Sequence, residues 1–256
     1  MRVTTTADDF GFSPDTVEAT IQLLEAGDVR NTSIMAVVPE TQAALDYAAT
    51  HPEHCYGVHL TFTRDGPERP LSDPGQIPRL VDSEGRFLEG RPAQLRAASR
   101  RFPVDEVAVE MEAQLGRVAD HGIRIDYVDS HKHLHKYPPV SAALAQVLPR
   151  FGISRVRRPQ NVYPVARYNS PTYWLGRAMG RGWLQNWVTT DAFYMSVGPD
   201  DLDFSAAVSG GGDGTLEIGG HPGTVDAWRV GETGALRRLT STLKEAGHQT
   251  VSWREI

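Results

Sequence analysis

The sequence predicts an α/β fold, a closed or nearly closed (β/α) barrel ahead of an open doubly wound sheet. Three observations predict it. Short apolar runs alternate with amphipathic stretches almost from end to end, the pattern of parallel βαβ units. At 256 residues the chain is long enough for one such barrel with a well-buried core. Residues just after the strand candidates are rich in Asp and His, where ligands sit in folds of this class.

The first strand is expected over 2–7 and runs into Asp8-Asp9-Phe10-Gly11. Ser13 reads as an N-cap, Pro14 as the first helical residue and Gly27 as the stop, with Val17, Ile21 and Leu24 on the apolar face. Next come a strand over 34–38, a helix over 40–49 and a strand over 56–61. The stretch 64–101, rich in Pro, Gly, Arg and Asp, breaks the rhythm and reads as a long inserted loop, which in a compact domain is more often functional than idle. A helix starts near Pro103, carries Val107, Met111, Leu115 and Val118 on one face, and stops by Gly122. A strand over 125–131, a helix over 139–151 and a strand over 153–157 follow. Last are an aromatic helix over 171–184, strands over 192–195 and 216–219, a helix over 233–246 and a closing strand over 250–253. No internal repeat or boundary is visible, so one domain over 1–256 is expected.

Composition removes several function classes. The net charge of −6 offers no basic field for nucleic acid or anionic lipid. Cys55 is the one cysteine, which excludes an internal disulfide and a cysteine-only metal cluster; it reads as a small buried hydrophobe. The N-terminus lacks the apolar stretch of a signal peptide, and no run approaches the ~18 apolar residues of a membrane span. A cytoplasmic location is the expectation.

The strongest local signal is Asp129-Ser-His-Lys-His-Leu-His135. On an extended segment Asp129, His131, His133 and His135 would project to one face, where neutral imidazoles suit a Zn²⁺-like ion. Alternate residues on a strand lie roughly 6.5–7 Å apart, so all three histidines do not ligate one ion. Neighbouring Asp8 and Asp9 point in different directions at a strand end, so one can bind a metal while the other holds a water. Singly, His59 reads as a core histidine, Arg157-Arg158 as a solvated pair and His221-Pro-Gly as a turn.

Taken in order, Ala7-Asp8-Asp9-Phe10-Gly11, Gly57-Val58-His59-Leu60-Thr61, Asp129–His135, Arg157-Arg158-Pro159 and Glu217 ahead of His221-Pro222-Gly223 resemble the YdjC-like carbohydrate deacetylases. The resemblance runs over about 3–224 and takes in 82–87, Glu110 and Gln114. It implies a distorted (β/α) barrel, polysaccharide-deacetylase-like, and one divalent metal ion, Zn²⁺ or Mg²⁺, held by Asp9, His59 and His131. His133 competes with His131 for the third place, and Asp129, His133 or His135 would orient the ligands. Asp8 would be the general base, held by Arg157, and His221 the general acid. The implied reaction is attack of an ion-activated water on the acetamide carbonyl of an N-acetylated sugar.

Gly219-Gly220 stand where the family commonly has longer, more apolar residues. The aromatic stretch 163–187, with Tyr168, Tyr173, Trp174, Trp183 and Trp187, reads as a sugar-stacking platform, a helix-packing face, or the contact of a homodimer. Two other readings stand against the deacetylase: a different metal hydrolase on the same scaffold, acting on a phosphoester or on another amide or ester, and a non-catalytic relative. A phosphoester hydrolase would need a phosphate cradle, and the glycine-rich 209–214 lacks the Gly-Lys-Ser/Thr ending. Hydrolysis of another amide or ester fits the same scaffold. A non-catalytic sugar-binding relative has no need of the acid–base pair Asp8 and His221.

Overall fold

Strand β1 (Arg2–Phe10) is the axis of the sheet, and its side chains show how the interior is filled. By strand alternation Thr4, Thr6 and Asp8 point one way and Val3 and Ala7 the other. Val3 and Ala7 join Leu23, Leu24 and Leu236 in an apolar layer between sheet and helices. On the inner side, Thr6 Oγ1 donates to Glu217 (2.7 Å) and Asn31 Nδ2 donates to Thr4 Oγ1 (2.6 Å). The barrel interior is therefore polar and hydrogen-bonded, as buried polar groups must be.

This computed structural model describes residues 1–162, 184–196, 204, 208 and 214–256. After β1 come α1 (Pro14–Ala26), β2 (Asn31–Ile34), α2 (Thr41–Thr50), β3 (Cys55–Leu60), α3 (Gly90–Ala98), α4 (Val104–Ala119) and β4 (Ile125–Ser130). Then follow α5 (Pro138–Val147), β5 (Ala192–Met195), β6 (Thr215–Gly220), α6 (Ala227–Glu245) and β7 (Gln249–Thr250). The strands are parallel in the order β4-β3-β2-β1-β6-β5, with β7 beside the start of β1. Residues 155–162 link the two edges: Arg157 N donates to Val128 O (2.9 Å), and Asn161 N and Val162 N donate to Phe193 O (3.2 and 3.1 Å). The sheet thus curls into the distorted barrel that the sequence predicts. Trp253 closes its floor, stacked on Tyr127 at 5.1 Å, and Gly57 makes room, since a Cβ there would meet the Tyr127 ring at 2.5 Å. Among the described residues no helix is long and apolar enough to cross a membrane.

Where structure and expectation part, polar burial or chain turning is the reason. The second strand is Asn31–Ile34, not 34–38, because Asn31, Thr32 and Ser33 are buried polar residues serving β1, with Thr32 Oγ1 donating to Ala7 O (2.8 Å). The apolar residues Met35, Val37 and Val38 instead leave the sheet to pack on Phe87. Residues 153–157 form isolated bridges, Val128 with Val156 and Arg155 with Val188, not a full strand. The closing strand shortens to two residues, and α6 begins at Ala227, a turn and a half before the expected start. Segment 64–101 carries α3 and buries Ile77, Leu80, Phe87, Ala93 and Ala97, so it is packed rather than loose. Helix α4 ties it down: Glu110 accepts from Leu71 N and Ser72 N (3.2 and 2.9 Å), and Gln114 pairs with both Thr61 N and Thr61 O (2.9 and 2.6 Å). The helix expected over 171–184, apart from Leu184, lies outside the described residues, as do Tyr168, Tyr173, Trp174, Trp183 and the glycines of 210–212.

Candidate metal centre and active site

Asp8 and Asp9 end β1, and both face the barrel mouth although strand alternation would part them. Asp9 takes a left-handed conformation, φ 63°, with a register shift against β2 between Ala7 and Phe10. Left-handed backbone is costly for most residues and least so for Asp, Asn and Gly. That twist brings the second carboxylate round beside the first.

Below, Arg157 is the hub. Its guanidinium, fully buried, donates to Asp8 Oδ2 (2.6 Å) and Oδ1 (2.8 Å), lies 2.5 Å from Asp129 Oδ2, and donates through Nε and Nη2 to Glu217 Oε1 (3.0 and 2.8 Å). Phe193 lies under it at 4.8 Å. Burial pushes the Asp8 carboxyl up, but the charge and hydrogen bonds of Arg157, together with the nearby His59 and His221, outweigh it and hold Asp8 below the usual carboxylate range. A base held this way stays ionised.

Above Asp8 lies the candidate ion site. Asp9, His59 and His131 each offer one ligand atom within 4.8 Å of the others. Asp9 Oδ2 accepts from Arg229 (2.8 Å), whereas Oδ1 is buried with no hydrogen-bond partner. That orphan oxygen lies 3.5 Å from both His59 Nε2 and His131 Nδ1. On the far side of His59, Nδ1 lies 2.9 Å from Asp129 Oδ1; a carboxylate only accepts, so Nδ1 carries the proton and Nε2 presents its lone pair. Unpaired, a buried anionic oxygen is costly, and a cation bound there would relieve it. The donor set fits a divalent ion.

The local backbone parts the histidines of 131–135. β4 ends at Ser130, and His131–Lys136 form a 3₁₀ turn with Lys132 and His133 left-handed (both φ 53°). The expected single face of Asp129, His131, His133 and His135 therefore does not exist. His131 faces Asp9; His133 turns against Phe193 (5.6 Å); His135 Nδ1 lies 2.7 Å from Ser130 Oγ. Burial works against charge on His131, yet Asp65 and Asp9 push its imidazole up to about 9.

Across a cleft of about 400 Å³, also lined by Asp8, Asp9, His59, His131 and Arg229, sit His221 and Trp228. Glu232 on α6 accepts from His221 N (2.7 Å) and lies 3.1 Å from its Nδ1. Burial lowers the His221 imidazole, but Glu232 and Asp9 raise it above its ordinary value. The structure thus gathers all six residues singled out in the sequence: Asp8, Asp9, His59, His131, Arg157 and His221. Sequence reasoning missed Arg229, Glu232 and Asp65. Arg229 and Glu232 stand three apart on one helix face, a spacing that reads as an ordinary solvated face.

A family model described as YdjC-like protein matches residues 2–250. The carbohydrate deacetylase of Geobacillus stearothermophilus is 27% identical, over 97% of this chain and 95% of that protein. That of Thermoanaerobacter pseudethanolicus is also 27% identical, over 86% and 80%. A crystal structure from Enterococcus faecalis, described as a cellobiose-phosphate cleavage protein, superposes with a TM-score of 0.79 at 20% identity, covering 99% of this chain and 98% of its own. That likeness is one of fold. With the family match running nearly from end to end, the chain belongs to the YdjC-like family.

Proposed function

We propose that this chain is a metal-dependent carbohydrate deacetylase that removes the acetyl group from an N-acetylated sugar. One observation carries the reading: the buried, unpartnered Asp9 Oδ1 between two imidazole nitrogens, next to an ionised Asp8. The names of the curated relatives supply the sugar and the acetyl group.

Asp9, His59 and His131 would hold one divalent ion, Zn²⁺ or Mg²⁺. When bound, the ion supplies Lewis-acid polarisation of the acetyl carbonyl and makes a nearby water more acidic. Asp8 takes the proton of that water, and Arg157, gripping both its oxygens, keeps it ionised and aimed. His221 gives a proton to the departing nitrogen. Glu232, 3.1 Å from Nδ1, favours the protonated form of that imidazole. Trp228, 39% exposed at the cleft mouth, offers an apolar face to the sugar ring.

Acetate release from N-acetylglucosamine and its oligosaccharides, by wild type and Asp8→Asn, tests this after chelation and return of Zn²⁺ or Mg²⁺. Metal-dependent release that the substitution cuts by about 10²–10⁴-fold is expected. Release that survives chelation, or survives Asp8→Asn, sinks the assignment.

A further inference from the structure

We propose that Asp65, carried to the cleft by the 64–101 segment, is the positioning residue of His131: its carboxylate accepts the Nε2 proton and fixes the ring with Nδ1 toward Asp9 Oδ1. The role rests on reading Asp9, His59 and His131 as an ion site. His59 provides the comparison. Asp129 stands behind His59 at 2.9 Å, and Asp65 Oδ2 stands behind His131 Nε2 at 3.0 Å. In front, each ring turns its other nitrogen to Asp9 Oδ1 at the same 3.5 Å. The two imidazoles are gripped alike, through opposite nitrogens. With an ion bound, the proton of each pair would lie between ring and carboxylate, leaving the lone pair on the nitrogen that faces the ion position.

His131 depends on such a partner more than His59 does. His59 lies within β3, 2% exposed, between neighbouring strands. His131 opens the 3₁₀ turn, just ahead of two left-handed residues, and its side chain stays 12% exposed. The surroundings of Asp65 are built to hold the carboxylate in place. Lys132 Nζ lies 2.7 Å from Oδ2, and the Glu68 carboxylate accepts from the backbone of Asp65 (3.1 Å) and Gly66 (2.8 Å). Gly90, the first residue of α3, leaves the space: a Cβ there would come within 3.2 Å of Lys132 Cε and 3.3 Å of Asp65 Oδ1. The segment that interrupts the βαβ rhythm thereby completes the ion site from outside the barrel.

Zn²⁺ affinity, measured by competition with a chromophoric chelator, tests the role in wild type, Asp65→Ala, Asp65→Asn and Glu84→Gln. Glu84 is an exposed carboxylate of the same segment. Asp65→Ala is expected to weaken binding about 10–100-fold, as loss of an outer carboxylate does. Asp65→Asn recovers most of that loss, because its amide oxygen still accepts the Nε2 proton, and Glu84→Gln binds as wild type. Asp65 is 41% exposed, so its variants keep the fold. Wild-type affinity in Asp65→Ala overturns the role, and so does Asp65→Asn binding as weakly as alanine, which leaves only bulk charge. A wild type that binds no divalent ion sinks the ion site itself, together with this role.

Discussion

Around Arg157 three carboxylates close on one fully buried guanidinium at 2.5–3.0 Å. Around Asp9, one carboxylate oxygen is held by Arg229 while the other faces two imidazoles and has no partner. The first cluster is assembled by folding alone, since each polar contact of the guanidinium comes from the chain. The second leaves Asp9 Oδ1 without a hydrogen bond from the chain. The buried carboxyls of Asp8, Asp9, Asp129 and Glu217 share the guanidiniums of Arg157 and Arg229, and the imidazoles of His59 and His131 are the further groups that face Asp9 Oδ1. The difference teaches which charges shape the site and which are kept waiting for a ligand.

Removing the hub gives the largest effect. Arg157→Met strands three buried carboxylates and is expected to cost about 3–5 kcal/mol of stability in urea unfolding. A cost below about 1 kcal/mol would erase the contrast, because the floor would then be no more demanding than a surface pair. Asp9→Asn acts mainly on the ion. Asparagine still accepts from Arg229 but removes the charge that pairs with it, so the ion-free protein loses some stability, less than Arg157→Met because one carboxylate and not three is involved. Ion affinity, read by equilibrium dialysis, falls by more than the about 10–100-fold typical of an outer partner. Should both variants unfold alike, the two clusters are one structural unit.

Much of this arrangement is legible in the sequence, and the remainder is hidden for identifiable reasons. Asp8, Asp9 and His59 stand near the C-terminal ends of β1 and β3, and His131, Arg157 and His221 directly after a strand or bridge, where side chains of parallel βαβ folds converge, so order along the chain finds them. Arg229, Glu232 and Asp65 lie on elements laid over the barrel mouth. A helix with Arg and Glu three apart looks solvated until packing buries both, to 5% and 3% exposure. Asp65, among Pro, Gly and Arg, has the composition of a turn. β2 begins earlier than its sequence suggests for the same kind of reason: Asn31-Thr32-Ser33 is too polar to read as a buried strand unless the interior it faces is known to be polar.

Ligand binding sharpens the contrast more gently. Saturating Zn²⁺ or Mg²⁺ near 100 times its Kd adds about 2.7 kcal/mol to the folded state. For a chain of 256 residues that raises Tm by roughly 5–10 °C in calorimetry. Asp9→Asn should show none of this rise. An equal rise in wild type and variant would place the bound ion elsewhere.

The smallest effect concerns the one pair that belongs to neither cluster. Glu232 Oε2 meets both the backbone N and the Nδ1 of His221, and a glutamine oxygen there keeps the backbone bond. Burial alone would lower the His221 imidazole; Glu232 and Asp9 raise it. The acid form is the protonated one, so the rate falls as pH rises through the folded pKa of His221. Glu232→Gln removes part of the raising influence and moves this alkaline limb to lower pH, while the acid limb, set by Asp8, stays in place. The stability given by the pair has the same sign. It is fully present below the ordinary histidine pKa of about 6.5 and fades as pH climbs through the raised folded value. Glu232→Gln should therefore destabilise at pH 6 and approach wild type at high pH. An alkaline limb that does not move, in a variant that shows this stability change, would mean that His221 is protonated as assigned yet is not the group that feeds the leaving nitrogen.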